Sequence, residues 1–398
     1  MSQTDLMALA QARGAQLISF TQRLVQTPSL PGQEGEVAHL VEREMQFLGY
    51  DDVTTDRVGN VVGVVRGGAA PSLMFNGHMD HVHAGDATGW AQPPHSGVVV
   101  DGELWGRGTV DMKGPLAAMI YAGGLVKQHQ LSLPGDLIVV AVVMEEGGGV
   151  GTHEVLSTCR PGLCVVGESS DGWLMRGHRG RMEFVARLVG RSVHASVPEL
   201  GANPLYPLAR FLTRLDSLPM DVDPVFGPAS VAPTICHTDQ SSSNVTPGRA
   251  EVTIDWRTLP GQQAEQIATQ LQQLLQQDLP PDFQADVHLV HNHFTTYTGL
   301  AVDLAADFPS FSLPAGHWLV TGAQRALTQA LGRAVPVGVW RFATDGGQAA
   351  ALGIPTVGFG PGDPNVVHTN REHIPTAALI EGLAGYLALA TDMSRQAL

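Results

Sequence analysis

The chain has 398 residues, 43% of them hydrophobic and 15% charged, enough apolar material for about two or three domains and too little charge for a disordered polymer. A formal net charge of -15 argues against a protein held on nucleic-acid phosphates by clustered Lys and Arg, and points to a small-molecule partner. Its longest apolar runs, such as Leu137 to Met144, fall far short of the ~20 residues that span a bilayer, and three cysteines without a CxxC pair exclude a disulfide framework or a thiolate zinc site.

The first residues carry no basic start followed by an apolar stretch, so no secretion signal is expected and the cytoplasm is the expected location, without membrane association. An amphipathic helix is predicted through about Val25, a second from near Glu34 to Leu48, then strands in "NVVGVV" and "SLMFNGH". Helix "PLAAMIYAGGLVKQ", strand "LIVVAVVM", helix "THEVLSTC" and strand "LCVVGE" follow. Helices alternating with continuously apolar strands predict an α/β unit: a mainly parallel, mixed sheet between two layers of helices. From Gly180 to Asn292 the order becomes β-α-β-β-α-β, an α+β ferredoxin-like unit inserted into the first. The expected organisation is therefore a first part of the main α/β domain over 1–179, the inserted unit over 180–292 and the rest of the main domain over 293–398. In "RGHRG", Gly177 and Gly180 beside Arg179 and Arg181 suggest a hinge between the two.

Ligands of such sheets collect at the carboxyl ends of strands, and the polar residues of this chain gather there. "GHMD" places His78 and Asp80 two apart, on the same side of an extended strand end. "GRGTVDMKG" holds Asp111 in a glycine-flanked loop, several residues too early to cap the helix beginning near Pro115. "MEEGGG" sets Glu145 beside Glu146 after a buried strand, where adjacent carboxylates repel unless something positive is close. Glu168 follows another strand and His368 precedes the last helix. Oxygen and imidazole donors without thiolate suit divalent ions such as zinc, cobalt or manganese. Spacing alone does not distinguish Glu145 from Glu146.

"GHMD", "GRGTVDMKG", "MEEGG", "GESS" and "HTNRE", in this order, resemble the M20 family of binuclear metallohydrolases, a group that includes deacetylases, desuccinylases, aminoacylases, carboxypeptidases and dipeptidases. The resemblance runs over nearly the whole chain and implies a zinc-peptidase-like fold with a lid that also makes a homodimer. It implies two divalent cations, most readily zinc: His78 and Glu168 on one, Glu146 and His368 on the other, Asp111 bridging. Glu145 becomes the general base for a hydroxide held between the cations, Asp80 the partner that orients His78, and a cis peptide is implied between Asp111 and Met112. His194 is implied to reach the partner subunit's active site and steady the oxyanion.

The expected substrate is an N-acyl amino acid cleaved at its amide bond, its carboxylate held by Arg257 with help from Asn244 and from backbone donors at Gly346 and Gly347. A metallo-dipeptidase or carboxypeptidase is the alternative within the family, and a non-catalytic metal-binding relative is the alternative outside enzymes. "GESSD" fails the GxSxG pattern and no GxxxxGK[ST] loop occurs, so serine-hydrolase and nucleotide-binding readings have no support. His81 and His83 depart from the family pattern and have no role assigned by it.

Overall fold

The structure, a computed structural model, describes residues 3–392. The apolar runs form one mixed sheet, ordered Asp52–Thr55, Val61–Val65, Leu137–Val142, Leu73–His78, Leu163–Val166, Thr356–Gly358, Leu174–His178 and Phe311–Ser312, with Val337–Trp340 also on Leu174–His178. The four central strands run parallel and antiparallel neighbours flank them. Every residue of Leu73–His78 and of Leu137–Val142 is buried. Phe75, Val139 and Val165 face one apolar cluster, while Met74, Val140 and Cys164 face another. Side chains thus alternate between two covered faces, which is why these strands read as continuous apolar runs.

The first cluster is closed by helices Gln3–Gln26, Gly114–Gln128, Trp318–Leu331 and Thr376–Asp392, and the second by Val150–Thr158 and Gly346–Ala351. Among the described residues no helix is long and apolar enough to cross a membrane.

A second sheet forms between Gly180 and Leu289, ordered Gln284–Leu289, Gly180–Val189, Arg249–Thr258, Ser230–Thr238 and antiparallel throughout. Helices Leu205–Asp216 and Ala264–Gln276 bury Phe211 and Leu271 against its Phe184, Ile254 and Trp256. Along Gly180–Val189 every second residue is buried, the pattern of a sheet covered on one face.

The return to the first sheet is less abrupt than the sequence suggests. The hairpin His291–Thr295 with Ala301–Ala305 spans the expected boundary at 292/293. Phe294, Leu300 and Val302 of this hairpin pack on the first cluster. The chain then pairs Asp307–Phe308 with the second sheet and Phe311–Ser312 with the first. A small sheet of Val99–Val100, Glu103–Trp105 and His373–Pro375 also had no clear sequence signal.

Helix Gly114–Gln128 contains Gly123, where a Cβ would lie 2.0 Å from the hydroxyl oxygen of Tyr50. That hydroxyl donates to the Ile120 carbonyl at 2.8 Å. Helix propensity favours alanine over glycine by ~1 kcal/mol, and overpacking opposes it by ~1–3 kcal/mol. Gly123→Ala is therefore expected to lower the unfolding free energy measured in urea; a more stable variant would show that the Tyr50 contact is not the constraint.

Candidate active site

Three adjacent parallel strands deliver the donors. His78 ends Leu73–His78, the Glu145–Glu146 pair follows Leu137–Val142, and Glu168 follows Leu163–Val166. Asp111 arrives from the loop before Gly114–Gln128, with a cis peptide to Met112. His368, at φ +60°, arrives from the segment before His373–Pro375.

Two donor groups result: His78, Asp111 and Glu168, and then Asp111, Glu146 and His368, the donor atoms of each lying within 4.8 Å of one another. Asp111 belongs to both. Its Oδ1 is 2.9 Å from His78 Nε2 and its Oδ2 is 2.9 Å from His368 Nε2. Glu168 Oε1 lies 3.3 Å from His78 Nε2, and Glu146 Oε1 lies 2.8 Å from His368 Nε2. One carboxylate thus turns one oxygen towards each group.

The electrostatics favour added positive charge. Burial, then the negative charge of Asp111, pushes the Glu168 carboxyl up to about 7. Burial also raises Glu145 well above the carboxylate range. Burial opposes a charge on His78, yet hydrogen bonds to Asp111 and Glu168 more than offset it and raise the ring. Hydrogen bonds to Asp111 and Glu146 raise His368 to about 10. Burial opposes the charge on Asp111 too, but the two imidazoles hold it below the usual range. The upward shifts of Glu168, His78 and His368 retain protons where a cation would sit, while Asp111 between them keeps its negative charge, so these residues fit divalent metal ions.

Asp80 works differently from its sequence reading. His78 Nδ1 is 3.0 Å from the main-chain carbonyl of Asp80 and 3.6 Å from its carboxylate. The carboxylate instead accepts the amides of Glu145 at 3.1 Å and Glu146 at 3.0 Å. The preceding amide, of Met144 at φ +55°, goes to Glu34 Oε1 at 3.1 Å. Three successive N–H groups are therefore held by two buried acids, one of which, Glu34, lies in none of the motifs that point to the site.

The remaining histidines of "GHMDHVHAGD" also resolve. His81 is buried, accepts the Ser29 amide at 3.0 Å on Nε2 and donates from Nδ1 to the Val82 carbonyl at 2.8 Å. Burial pushes its ring down to about 3, so it is a neutral anchor for the Ser29 loop. His83 is exposed and accepts the Gly85 amide, while Asp86 caps the turn Ala87–Gly89.

Gly346 and Gly347 have their amides engaged by Thr344, through its hydroxyl at 3.1 Å and its carbonyl at 3.2 Å. A Cβ on Gly347 would lie 1.8 Å from the Pro309 carbonyl oxygen, so close packing explains this glycine. Beside them Asp345, not singled out from sequence, is buried and accepts the Thr152 hydroxyl at 2.5 Å. Thr152 in turn accepts Asn76 at 2.7 Å.

The other expected substrate residues lie on the second sheet and its loops. Arg257 donates through Nε to Asp255 at 2.7 Å, and Asp255 is shared with Arg181, also at 2.7 Å. His194 is exposed with Nδ1 2.7 Å from the Ser196 hydroxyl. It neighbours Asn244: His194 and Val245 form an isolated bridge, and the Ala195 amide donates to the Asn244 carbonyl at 2.8 Å.

Comparison with known proteins shows the family of the chain. Residues 74–392 match the family described as Peptidase family M20/M25/M40. The uncharacterized protein YgeY of Escherichia coli is 30% identical over 385 residues, covering 94% of each chain. A succinyl-diaminopimelate desuccinylase of Rhodospirillum centenum is 33% identical over 251 residues, 58% of this chain and 65% of that one. In three dimensions the YXEP protein of Bacillus subtilis, described as a dinuclear metal binding peptidase, superposes with a TM-score of 0.73 at 15% identity, covering 96% of this chain and 98% of that one. A match running from inside the strand of His78 to the end of the last helix places the chain in the M20 peptidase family, whose members are metal-dependent hydrolases of amide and peptide bonds.

Proposed function

We propose that the protein is a binuclear amidohydrolase that cleaves the amide bond of an N-acyl amino acid, in the manner of a deacetylase or desuccinylase. The observation that carries this reading is the pair of donor groups meeting at Asp111, with Glu145 beside them and in neither. Two divalent cations, zinc or else cobalt or manganese, would when bound polarise the amide carbonyl and lower the pKa of the attacking water from ~16 towards ~7.

The chain's own residues do the rest. His78 and Glu168 would hold one cation, Glu146 and His368 the other, and Asp111 both. Glu145 takes the proton of the attacking water and returns it to the departing amine. Asp80 supports this by fixing the Glu145 and Glu146 amides. Arg257 binds the substrate carboxylate and Asn244 assists, whereas the Gly346 and Gly347 amides, expected from the sequence as further donors, are engaged by Thr344.

The same centre would also cleave peptides, and the description of the Bacillus subtilis relative as a peptidase keeps a dipeptidase or carboxypeptidase reading open. A non-catalytic relative is the weaker alternative, since it has no need to keep Glu145 together with every cation donor. The organisation we infer is a catalytic domain over 1–179 and 293–398 with a lid over 180–292. Free Cys159, Cys164 and Cys236 suit a cytoplasmic setting.

We further infer a homodimer through the lid, with His194 of each protomer acting in its partner's site. Strand Ser230–Thr238 supports it: it is an edge strand, exposed along nearly its whole length, and such edges invite pairing with another chain. Leu200, Leu205 and Tyr206 add exposed apolar surface in the same sheet-and-helix unit.

A panel of N-acetyl and N-succinyl amino acids and dipeptides, assayed with zinc, cobalt or manganese restored, is expected to show fastest turnover on the N-acyl substrates. Preferential cleavage of dipeptides would transfer the assignment to the peptidase reading. Glu145→Gln is expected to retain its metals and lose at least ~100-fold in kcat, and substantial residual turnover would remove Glu145 from the base role. Mixing Glu145→Gln with His194→Ala protomers, each inactive alone, should restore part of the activity; no recovery after subunit exchange would argue against action across the dimer.

A further inference from the structure

Two residues of the motifs that define the site have no part in the chemistry so far. Arg107 belongs to "GRGTVDMKG" and Glu372 to "HTNRE". Both are buried, and Arg107 Nη1 donates to Glu372 Oε2 at 2.5 Å. A buried ion pair by itself is a weak source of stability. The other oxygen of Glu372 is more informative: Oε1 accepts the amides of Val110 at 3.0 Å and of Asp111 at 3.2 Å. Two successive peptide planes leading into the shared carboxylate are thus fixed by one atom.

The surroundings fix that atom in turn. His373–Pro375 pairs with Glu103–Trp105, which joins the segment carrying Glu372 to the start of the Asp111 loop. The Gly106 amide donates to the Glu372 carbonyl at 3.2 Å. The Arg107 guanidinium lies 5.1 Å from the centre of the Trp90 ring. On the far side of the loop, Lys113 donates to the carbonyls of Leu24 and Thr27 at 3.0 and 2.7 Å, holding the loop's end but not the peptides before Asp111.

We propose that Glu372 is a positioning residue for Asp111 and that, through this one carboxylate, it sets the affinity of both cation positions together. The inference rests on the two-cation reading above. Asp111 is the residue common to both donor groups, so a group acting through it must change both affinities. A residue that merely stabilises the fold would change neither in the folded protein.

The test is titration of the metal-free protein with cobalt(II), followed by calorimetry and by the visible absorption of the bound ion. In Glu372→Ala both dissociation constants should rise together, by roughly 10–100-fold, the usual effect of losing a partner that orients a metal ligand. His368→Ala, which removes a donor from one group, should weaken one cation selectively and provides the reference for an unequal loss. Should Glu372→Ala fail to fold, Glu372→Gln serves. Its neutral carbonyl is a weaker acceptor and its amide faces the Arg107 donors, so a smaller but still parallel loss is expected. Wild-type constants in a folded Glu372 variant, or a loss confined to one cation, would overturn the proposal. A wild-type protein that binds a single cobalt ion would overturn the two-cation reading itself, a result separable from the first because it appears before any substitution.

Discussion

The site is organised around a concentration of negative charge that the fold cannot tolerate alone. Asp111 and Glu146 offer oxygens within 4.8 Å of each other, and Asp111 and Glu168 do the same. At an effective dielectric of ~20, each such carboxylate pair repels by roughly 3–4 kcal/mol. His78 and His368 offset part of this by holding protons, but each ring faces two carboxylates. Divalent cations meet the same demand with more charge and without protonating the ligands. Cation binding and the integrity of this region are therefore linked, because the cations bind the folded arrangement and not the extended chain.

A second set of acids solves a different problem. Glu34, Asp80 and Glu372 are buried and accept backbone amides close to the residues that bear the donors: Met144 for Glu34, Glu145 and Glu146 for Asp80, Val110 and Asp111 for Glu372. Loops at strand ends lack ladder hydrogen bonds, and buried amides without partners are costly. Carboxylates satisfy two amides at once and do so more strongly than neutral acceptors. The protein thus uses acids both as donors to cations and as braces for the peptides that carry those donors.

This division explains what could be read from sequence. His78, Glu146 and Glu168 each follow an apolar strand, and Asp111 and His368 lie in short motifs, so their types and positions suggested metal chemistry and a parallel-centred sheet. Glu34 and Glu372 act on backbone amides, which every residue but proline supplies, so no residue type marks their partners. Glu372 and Val110 are 262 positions apart, with nothing in either local sequence to link them. Asp80 was legible as a partner of His78, but its carbonyl holds the ring and its carboxylate holds the turn. His81 had no role assigned by the family resemblance, and its burial beside Ser29 makes it a neutral anchor for that loop.

The passage between the two sheets shows the same contest between local signal and packing. Gly177 and Gly180 suggested hinge flexibility, yet each sits in a strand with no room for a Cβ: 2.3 Å from the Phe311 carbonyl oxygen at Gly177, and 2.2 Å from the Thr258 hydroxyl at Gly180. Between them His178 is buried, donates to the Arg179 carbonyl at 2.8 Å and accepts the Thr344 amide at 3.2 Å. Burial pushes its ring down to about 4, so it is neutral and can do both. The outgoing crossing is therefore short and clamped, and it ties the Asp345 segment to the start of the second sheet. The return crossing is longer and alternates between the two sheets through Asp307–Phe308 and Phe311–Ser312. The outgoing chain thus passes directly from one sheet into the other, where only glycine fits at both ends of the crossing, whereas the return borrows pairing from each sheet in turn.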